Sequence, residues 1–66
     1  MIKQGDRVRI ASSYPPMKLK INNLAIGDAG IVVMVAWLAN LKLGVALVRM
    51  DKGGNINANT SDLEKV

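Results

Sequence analysis

The sequence predicts an all-β domain: a small five-stranded barrel with a long loop after the first strand and a 3-10 turn before the last. Three observations support this fold class. Residues 28–51 form a long, nearly uninterrupted apolar stretch rich in valine, whose β-branched side chain favours strands. Residues 7–10 alternate charged and apolar side chains, with the period of two that is typical of a half-buried strand. Residues 51–55 contain Gly53-Gly54, a strong signal for a hairpin turn.

The apolar stretch also has the length of a membrane-spanning helix. Residues 29–48 approach the roughly 20 apolar residues that cross a bilayer. Asn40 and Lys42 would then lie inside the membrane, where a charged side chain costs about 2.5–3.5 kcal/mol on insertion scales. Asn40 also separates two apolar halves, which favours a reversal of the chain near residues 38–42. We therefore predict two strands joined by a loop.

The first strand and the loop after it are predicted from alternation and from proline. A strand over residues 6–11 places Arg7 and Arg9 about 7 Å apart on its outer face. Residues 11–26 contain two consecutive prolines, which exclude a regular strand because proline has no N–H. The apolar residues of this segment have helical spacing, so one or two helical turns are expected within the loop.

Turn signals predict the remaining elements. Glycine favours a tight turn over residues 27–30. One of the glycines at 53 and 54 is expected to have a positive φ in the hairpin turn. A single 3-10 or helical turn is predicted over residues 60–63. The strands after the first are predicted at residues 29–37, 43–51, 56–58 and 64–66.

Composition limits the function. The 66 residues, 1–66, make one domain, and half of them are apolar, which is more than so small a domain buries easily. Without cysteine or histidine, the chain cannot form disulfides, thiolate metal sites, or serine–histidine or cysteine–histidine catalytic pairs. Asp28 and Asp51 are the remaining acid–base candidates, but turn aspartates usually bind local N–H groups. We therefore expect a protein that is not an enzyme and has no cofactor or metal.

The charge of the chain suits more than one kind of partner. The net charge is +4, and the nine basic residues are scattered rather than clustered. Such a charge is ordinary for a small soluble domain, and it also suits an acidic partner, either a protein or a nucleic acid. The amino terminus lacks the basic-then-apolar pattern of a signal peptide, so a cytoplasmic protein is expected.

Four segments together resemble the frame of SH3-like barrels. They are Gly5-Asp6-Arg7-Val8-Arg9-Ile10, Gly27-Asp28-Ala29-Gly30-Ile31-Val32, Val48-Arg49-Met50-Asp51 and Ser61-Asp62-Leu63-Glu64-Lys65-Val66. The frame is similar to that of small accessory subunits of photosynthetic electron transport, namely the PetP-, PsaE- and NdhS-like subunits and the variable chain of ferredoxin–thioredoxin reductase. The resemblance implies an SH3-like barrel that docks on a larger complex, on the cytoplasmic or stromal side of a membrane. KOW-type domains share the frame and imply a nucleic-acid-binding or ribosome-associated module instead.

A docking subunit is the function that the residues favour. Residues 31–37 are apolar at every position, so a regular strand has positions 31, 33, 35 and 37 on one face and 32, 34 and 36 on the other. Only one face can fill a barrel interior, so the other needs a cover. The expected partner is a larger protein complex, which can be membrane-bound, or a second copy of the chain. The side chains expected to bind it are Arg7, Arg9, Lys18, Lys20, Trp37, Leu38, Leu41 and Lys42.

Two alternatives stay open for these residues. Trp37 is the sole tryptophan and suits a binding hot spot, but it also suits the core of a domain without phenylalanine. The scattered cations suit nucleic acid, although single-strand binders usually present stacking aromatics, and this chain has only Tyr14 and Trp37. No small-molecule substrate is expected.

Overall fold

The computed structural model describes the backbone of residues 1–66 and every side chain except that of Leu41. Five strands alternate with one short helix and two 3-10 turns. In chain order the elements are β1 (Arg7–Ile10), α1 (Pro16–Ile21), β2 (Ala29–Leu38), η1 (Ala39–Leu41), β3 (Leu43–Met50), β4 (Asn55–Asn59), η2 (Thr60–Asp62) and β5 (Leu63–Lys65). The all-β class, the long loop and the final 3-10 turn are confirmed, and each predicted strand end lies within one residue of the observed one.

The five strands form one antiparallel sheet in the order β4-β3-β2-β1-β5. β4 and β5 are its two edges, and no ladder joins them in the backbone that the structure describes. η2 leads directly from β4 into β5, and the three residues of β5 pair with β1 alone. The predicted closure into a barrel is therefore not confirmed, because the sheet remains open between its edges.

The apolar stretch forms the central hairpin of this sheet. β2 and β3 pair over nearly their whole length, and η1 with Lys42 makes the reversal that Asn40 predicted. No helix in the described part of the chain is both long and apolar enough to cross a membrane.

A β-bulge in β2 decides which side chains face the core. Val32 pairs with Val48, whereas Met34 pairs with Leu47, so Val33 is an extra residue opposite a regular stretch of β3. A bulge shifts the alternation of the strand by one position, because the extra residue has no partner. The expected division of positions 31–37 into two regular faces is therefore wrong: Val32 and Val35 share the inner face, and Ile31 and Met34 share the outer one.

The core lies on the inner face of the sheet. Tyr14, in the long loop, is 2% exposed and packs among strand side chains, while Leu19 of α1 and Leu24 cover the same cluster from outside. The other buried members are Ile2, Val8, Ile10, Val32, Ala46, Val48, Met50, Ile56, Ala58 and Leu63. Because the loop and α1 cover the inner face, the outer face is left without a layer of its own chain.

Glycine is required in the β3–β4 turn and at one close contact between β2 and β3. Gly53 and Gly54 both have positive φ, of 110° and 81°, in the β3–β4 turn, where one such residue was predicted. The predicted turn at 27–30 lies slightly earlier, since Asp28 N–H donates to the Ala25 carbonyl and residues 29 and 30 belong to β2. Gly30 is needed for another reason: a Cβ there would lie 2.8 Å from Val48 Cγ1 and would overlap the backbone of Arg49.

Replacing either glycine of the β3–β4 turn by valine is expected to lower the free energy of unfolding by about 1 kcal/mol or more. The cause is backbone strain alone, since open space surrounds both positions and a β-branched residue resists positive φ. Urea unfolding of Gly53→Val and Gly54→Val measures the loss. Asn55→Val, at the exposed start of β4, is the control and should be nearly neutral. Wild-type stability in both glycine variants would contradict the strain.

Candidate docking surface

The outer face of the β2–β3 hairpin is apolar and exposed. Residues that pair directly across two antiparallel strands lie on the same face. Four β2–β3 pairs lie on the inner face, Gly30–Met50, Val32–Val48, Val35–Ala46 and Trp37–Gly44, and the four pairs that alternate with them point outward. Their apolar members, here called the outer stripe, are Ile31, Met34, Ala36, Leu38, Leu43, Val45 and Leu47.

Four side chains of the outer stripe are exposed, those of Ile31, Met34, Ala36 and Leu38, and the other three are half-buried. Met34 is 56% exposed, Leu38 46% and Ile31 39%. Across the sheet, the stripe is bordered on one side by β4, whose outward residues are all asparagine: Asn55, Asn57 and Asn59. On the other side Arg7 of β1 stands beside Ile31. The stripe is therefore a continuous apolar surface with polar borders.

Four ion pairs neutralise most of the acidic side chains. Arg7 binds Asp51 through its two terminal guanidinium nitrogens, Nη1 and Nη2, with Nη1 3.2 Å from Oδ1. The others are Arg9–Glu64 at 3.4 Å, Lys52–Asp28 at 3.0 Å and Lys65–Asp6 at 3.5 Å. Of the five carboxylates, only Asp62 pairs with no cation in the described part of the chain, and it accepts a hydrogen bond from Ser13 instead.

Two of these carboxylates have lowered pKa values because they hold turns. The Ala25 N–H, and then Lys52, lower the pKa of Asp28. The Lys3 N–H, with a smaller contribution from Lys65, lowers the pKa of Asp6. A carboxyl group whose pKa is lower in the folded state stabilises the fold above its unfolded pKa and loses that effect as the pH falls through the folded value. Asp28 and Asp51, the two acid–base candidates, form ion pairs with different cations: Asp28 with Lys52, and Asp51 with Arg7.

Five cations form no ion pair with the side chains that the structure describes: Lys3, Lys18, Lys20, Lys42 and Arg49. Two of them lie at the ends of the outer stripe. Arg49 is exposed on the outer face, directly across from Ile31. Lys42, also exposed, follows η1 at the hairpin tip, with a φ of 50°.

The basic residues that the sequence assigned to partner binding lie in different places. Arg7 and Arg9 stand on the outer face of β1, each held by a carboxylate. Lys18 and Lys20 lie on α1, which covers the inner face. The structure therefore does not bring these four cations together.

The assigned apolar residues lie together at the hairpin tip. Leu38 belongs to the outer stripe and also lines a shallow cleft with Trp37, Ala39 and Asn40, here called the tip cleft. Lys42 follows the tip cleft in the chain. The side chain of Leu41 lies outside the described part of the structure.

Trp37 lies between the core and the surface. It pairs with Gly44, and a Cβ at that glycine would lie 2.6 Å from Cζ3 of the indole, so the ring covers the bare backbone. The side chain is nevertheless 51% exposed and is absent from the buried cluster. Trp37 is therefore partly packed, as the core interpretation predicts, and partly exposed, as the hot-spot interpretation predicts.

Sequence reasoning missed most of the outer stripe. Met34 and Ala36 were expected to share a face with Val32, which is buried, and Val45, Leu47 and Arg49 were not assigned a role. The signal that was available is the mostly apolar sequence of both strands of the hairpin, since a chain of 66 residues is too short to cover both faces of its sheet.

No protein-family model, curated protein or solved structure matches this chain. The resemblance to SH3-like barrels therefore stays a prediction from the four sequence segments. Among the described side chains, no group of three or more acidic residues is arranged to hold a metal ion.

Proposed function

We propose that this chain is a non-catalytic docking module that binds a larger protein assembly through the outer stripe. The observation that carries the proposal is the continuous apolar face of the β2–β3 hairpin, on which the large side chains of Met34, Leu38 and Ile31 are 56%, 46% and 39% exposed. Exposed apolar patches with polar borders usually mark contacts, because covering them removes apolar surface from water.

The tip cleft extends the same surface. Leu38 is common to the outer stripe and the cleft. Trp37 belongs to an inner-face pair, so a partner reaches it by continuing from Leu38 around the hairpin tip. Tryptophan is enriched at binding hot spots, where a large apolar area is buried at small cost in side-chain entropy. Packing on Gly44 holds the indole in place before binding.

A second exposed apolar pair lies on α1 but is smaller. Met17 and Ile21 are 75% and 74% exposed, one helical turn apart, beside Lys18 and Lys20. This pair occupies a six-residue helix, whereas the outer stripe runs along most of two long strands. The outer stripe is therefore the surface with the larger area to bury.

Nucleic-acid binding is the alternative, as a KOW-like or ribosome-associated module. Tyr14 is only 2% exposed and cannot stack on a base, which leaves Trp37 as the one aromatic ring available. The cations without ion pairs are also divided between the two sides of the sheet. The SH3-like frame is common to both functions. Its similarity to the accessory subunits of photosynthetic electron transport extends the docking proposal to electron-transport complexes, with the module on their cytoplasmic or stromal side.

Site-specific photocrosslinking tests the docking function. Benzoylphenylalanine is introduced at Ala36 in the outer stripe and, as the matched control, at Met17 on α1. After irradiation in extract of its own cells, the chain labelled at 36 is expected to form one protein adduct, with a yield that nuclease or high salt present before irradiation leaves unchanged. The adduct is identified by mass spectrometry, and binding is then reproduced with the purified partner.

Two results would contradict the docking function of the outer stripe. The first is an adduct of nucleic acid alone, which nuclease removes and whose yield falls steeply as the salt present before irradiation is raised. The second is a protein adduct that forms from position 17 and not from position 36, because the contact would then lie on α1.

A further inference from the structure

The charges around the outer stripe are concentrated at its two ends. Arg49, exposed and without an ion pair among the described side chains, stands across from Ile31 at one end. Lys42 stands at the other end, after η1. Arg7, the nearest cation on β1, is neutralised by Asp51, and the outward residues of β4 are uncharged asparagines. The stripe is therefore apolar along its length and positive at both ends.

This pattern opposes covering by a second copy of the chain. When two outer faces pack about a two-fold axis with their strands nearly aligned, the stripes run either in the same or in opposite directions. If the two stripes run in the same direction, Arg49 lies against Arg49 of the second copy. If they run in opposite directions, Arg49 lies against Lys42 of the second copy. Both arrangements bring cations together in an interface from which water is excluded, where like charges are costly.

The complementary partner carries carboxylates where this chain carries cations. An element that lies flat on a sheet face is either a helix or another sheet, since an added strand binds at an edge. The outer stripe is two strands wide, roughly 10 Å, which matches the diameter of one helix rather than the several strands of a second sheet. Arg49 lies seven positions after Lys42, which corresponds to about 23 Å along a strand. A helix covers that distance in about 15 residues.

From this match of shape and charge we infer that the segment bound on the outer stripe is an amphipathic helix of about 15 residues with carboxylates near both ends. The inference rests on the proposed docking function and specifies its partner. Lys18 and Lys20 lie over the inner face, away from the stripe, so the stripe itself carries two cations rather than the cluster of four to eight that attracts anionic lipid.

Synthetic helical peptides test this inference on the full chain. One peptide has a leucine face and glutamates at both ends; a second has the same leucines with lysines at both ends; a third has the leucines scattered around the helix. Binding is followed by fluorescence anisotropy, and backbone amide shifts report which surface is covered. The glutamate peptide is expected to bind at least about tenfold more tightly than the lysine peptide, with shifts in β2 and β3. The scattered peptide should not bind.

Charge reversal supplies the matched control. In Arg49→Glu with Lys42→Glu, the preference is expected to switch to the lysine peptide. In Lys18→Glu with Lys20→Glu, which changes the net charge equally, the glutamate peptide should stay preferred. Equal binding of both peptides, or a preference that charge reversal at positions 42 and 49 does not change, would overturn the inference. The docking function would still stand if the adduct at position 36 forms.

Vesicles of phosphatidylglycerol are the final arm of the test. A chain that binds these vesicles through the outer stripe, and binds none of the peptides, would overturn the inference in favour of a lipid surface. Absence of any adduct at position 36 would count against the docking function itself, so the two failures are distinguishable.

Discussion

Tyr14→Ala is expected to unfold most of the protein. Tyr14 is among the largest fully buried side chains and is the one aromatic residue of the core. Removing a buried aromatic ring costs about 3–5 kcal/mol, because transfer energy is lost and a cavity remains. A single core in a domain of this length, without disulfides, rarely supplies more than about 3–5 kcal/mol of stability, so the loss is comparable with the whole. Circular dichroism and urea unfolding should show a large loss of folded protein.

Tyr14→Phe is the control that keeps the ring. The Tyr14 hydroxyl is buried and has no hydrogen-bond partner among the described residues. Burying a hydroxyl without a partner costs free energy, so its removal should leave the free energy of unfolding unchanged or raise it by about 1 kcal/mol. A stable Tyr14→Ala variant would show that the long loop does not complete the core, and a destabilised Tyr14→Phe variant would show that the hydroxyl is bonded.

Met34→Glu is expected to weaken binding of the partner by about 100-fold or more. Met34 lies in the outer stripe, and a glutamate there would lose its water in the complex without gaining a cation. The free chain should keep its stability, because the side chain at 34 is 56% exposed. The measurement is the dissociation constant of the purified partner identified by crosslinking, together with the urea midpoint of each variant.

Met17→Glu is matched to this variant in residue type and in the change of charge. Met17 is 75% exposed on α1, outside the outer stripe, so its replacement should leave the dissociation constant nearly unchanged. Equal weakening by both variants would mean that net charge, rather than the stripe, controls binding. Wild-type affinity of Met34→Glu would exclude the stripe as the contact surface.

Much of the fold is predictable because the signals for strands and turns are local. Alternation over residues 7–10 placed β1 correctly, since its period of two depends on neighbouring side chains alone. The asparagine and lysine at 40 and 42 placed the reversal between β2 and β3, and Gly53-Gly54 placed the next turn. Composition likewise indicated an apolar surplus that the sheet leaves exposed on its outer face.

The location of that surplus depends on contacts between residues distant in sequence. Val33 is one valine among several, and nothing in its neighbours marks it as a bulge; its position follows from how β2 aligns with β3. The ion pair of Arg7 with Asp51 joins residues 44 positions apart, so the sequence alone did not show that Asp51 neutralises Arg7.

The sequence by itself determined the class of fold, the strands and turns, and the presence of more apolar side chains than one face can bury. Only the tertiary structure decided which of those side chains are exposed and which cations remain without a partner. The physical reason is that one extra residue in a strand exchanges its two faces, and the energy that selects its position comes from packing and pairing across the whole sheet.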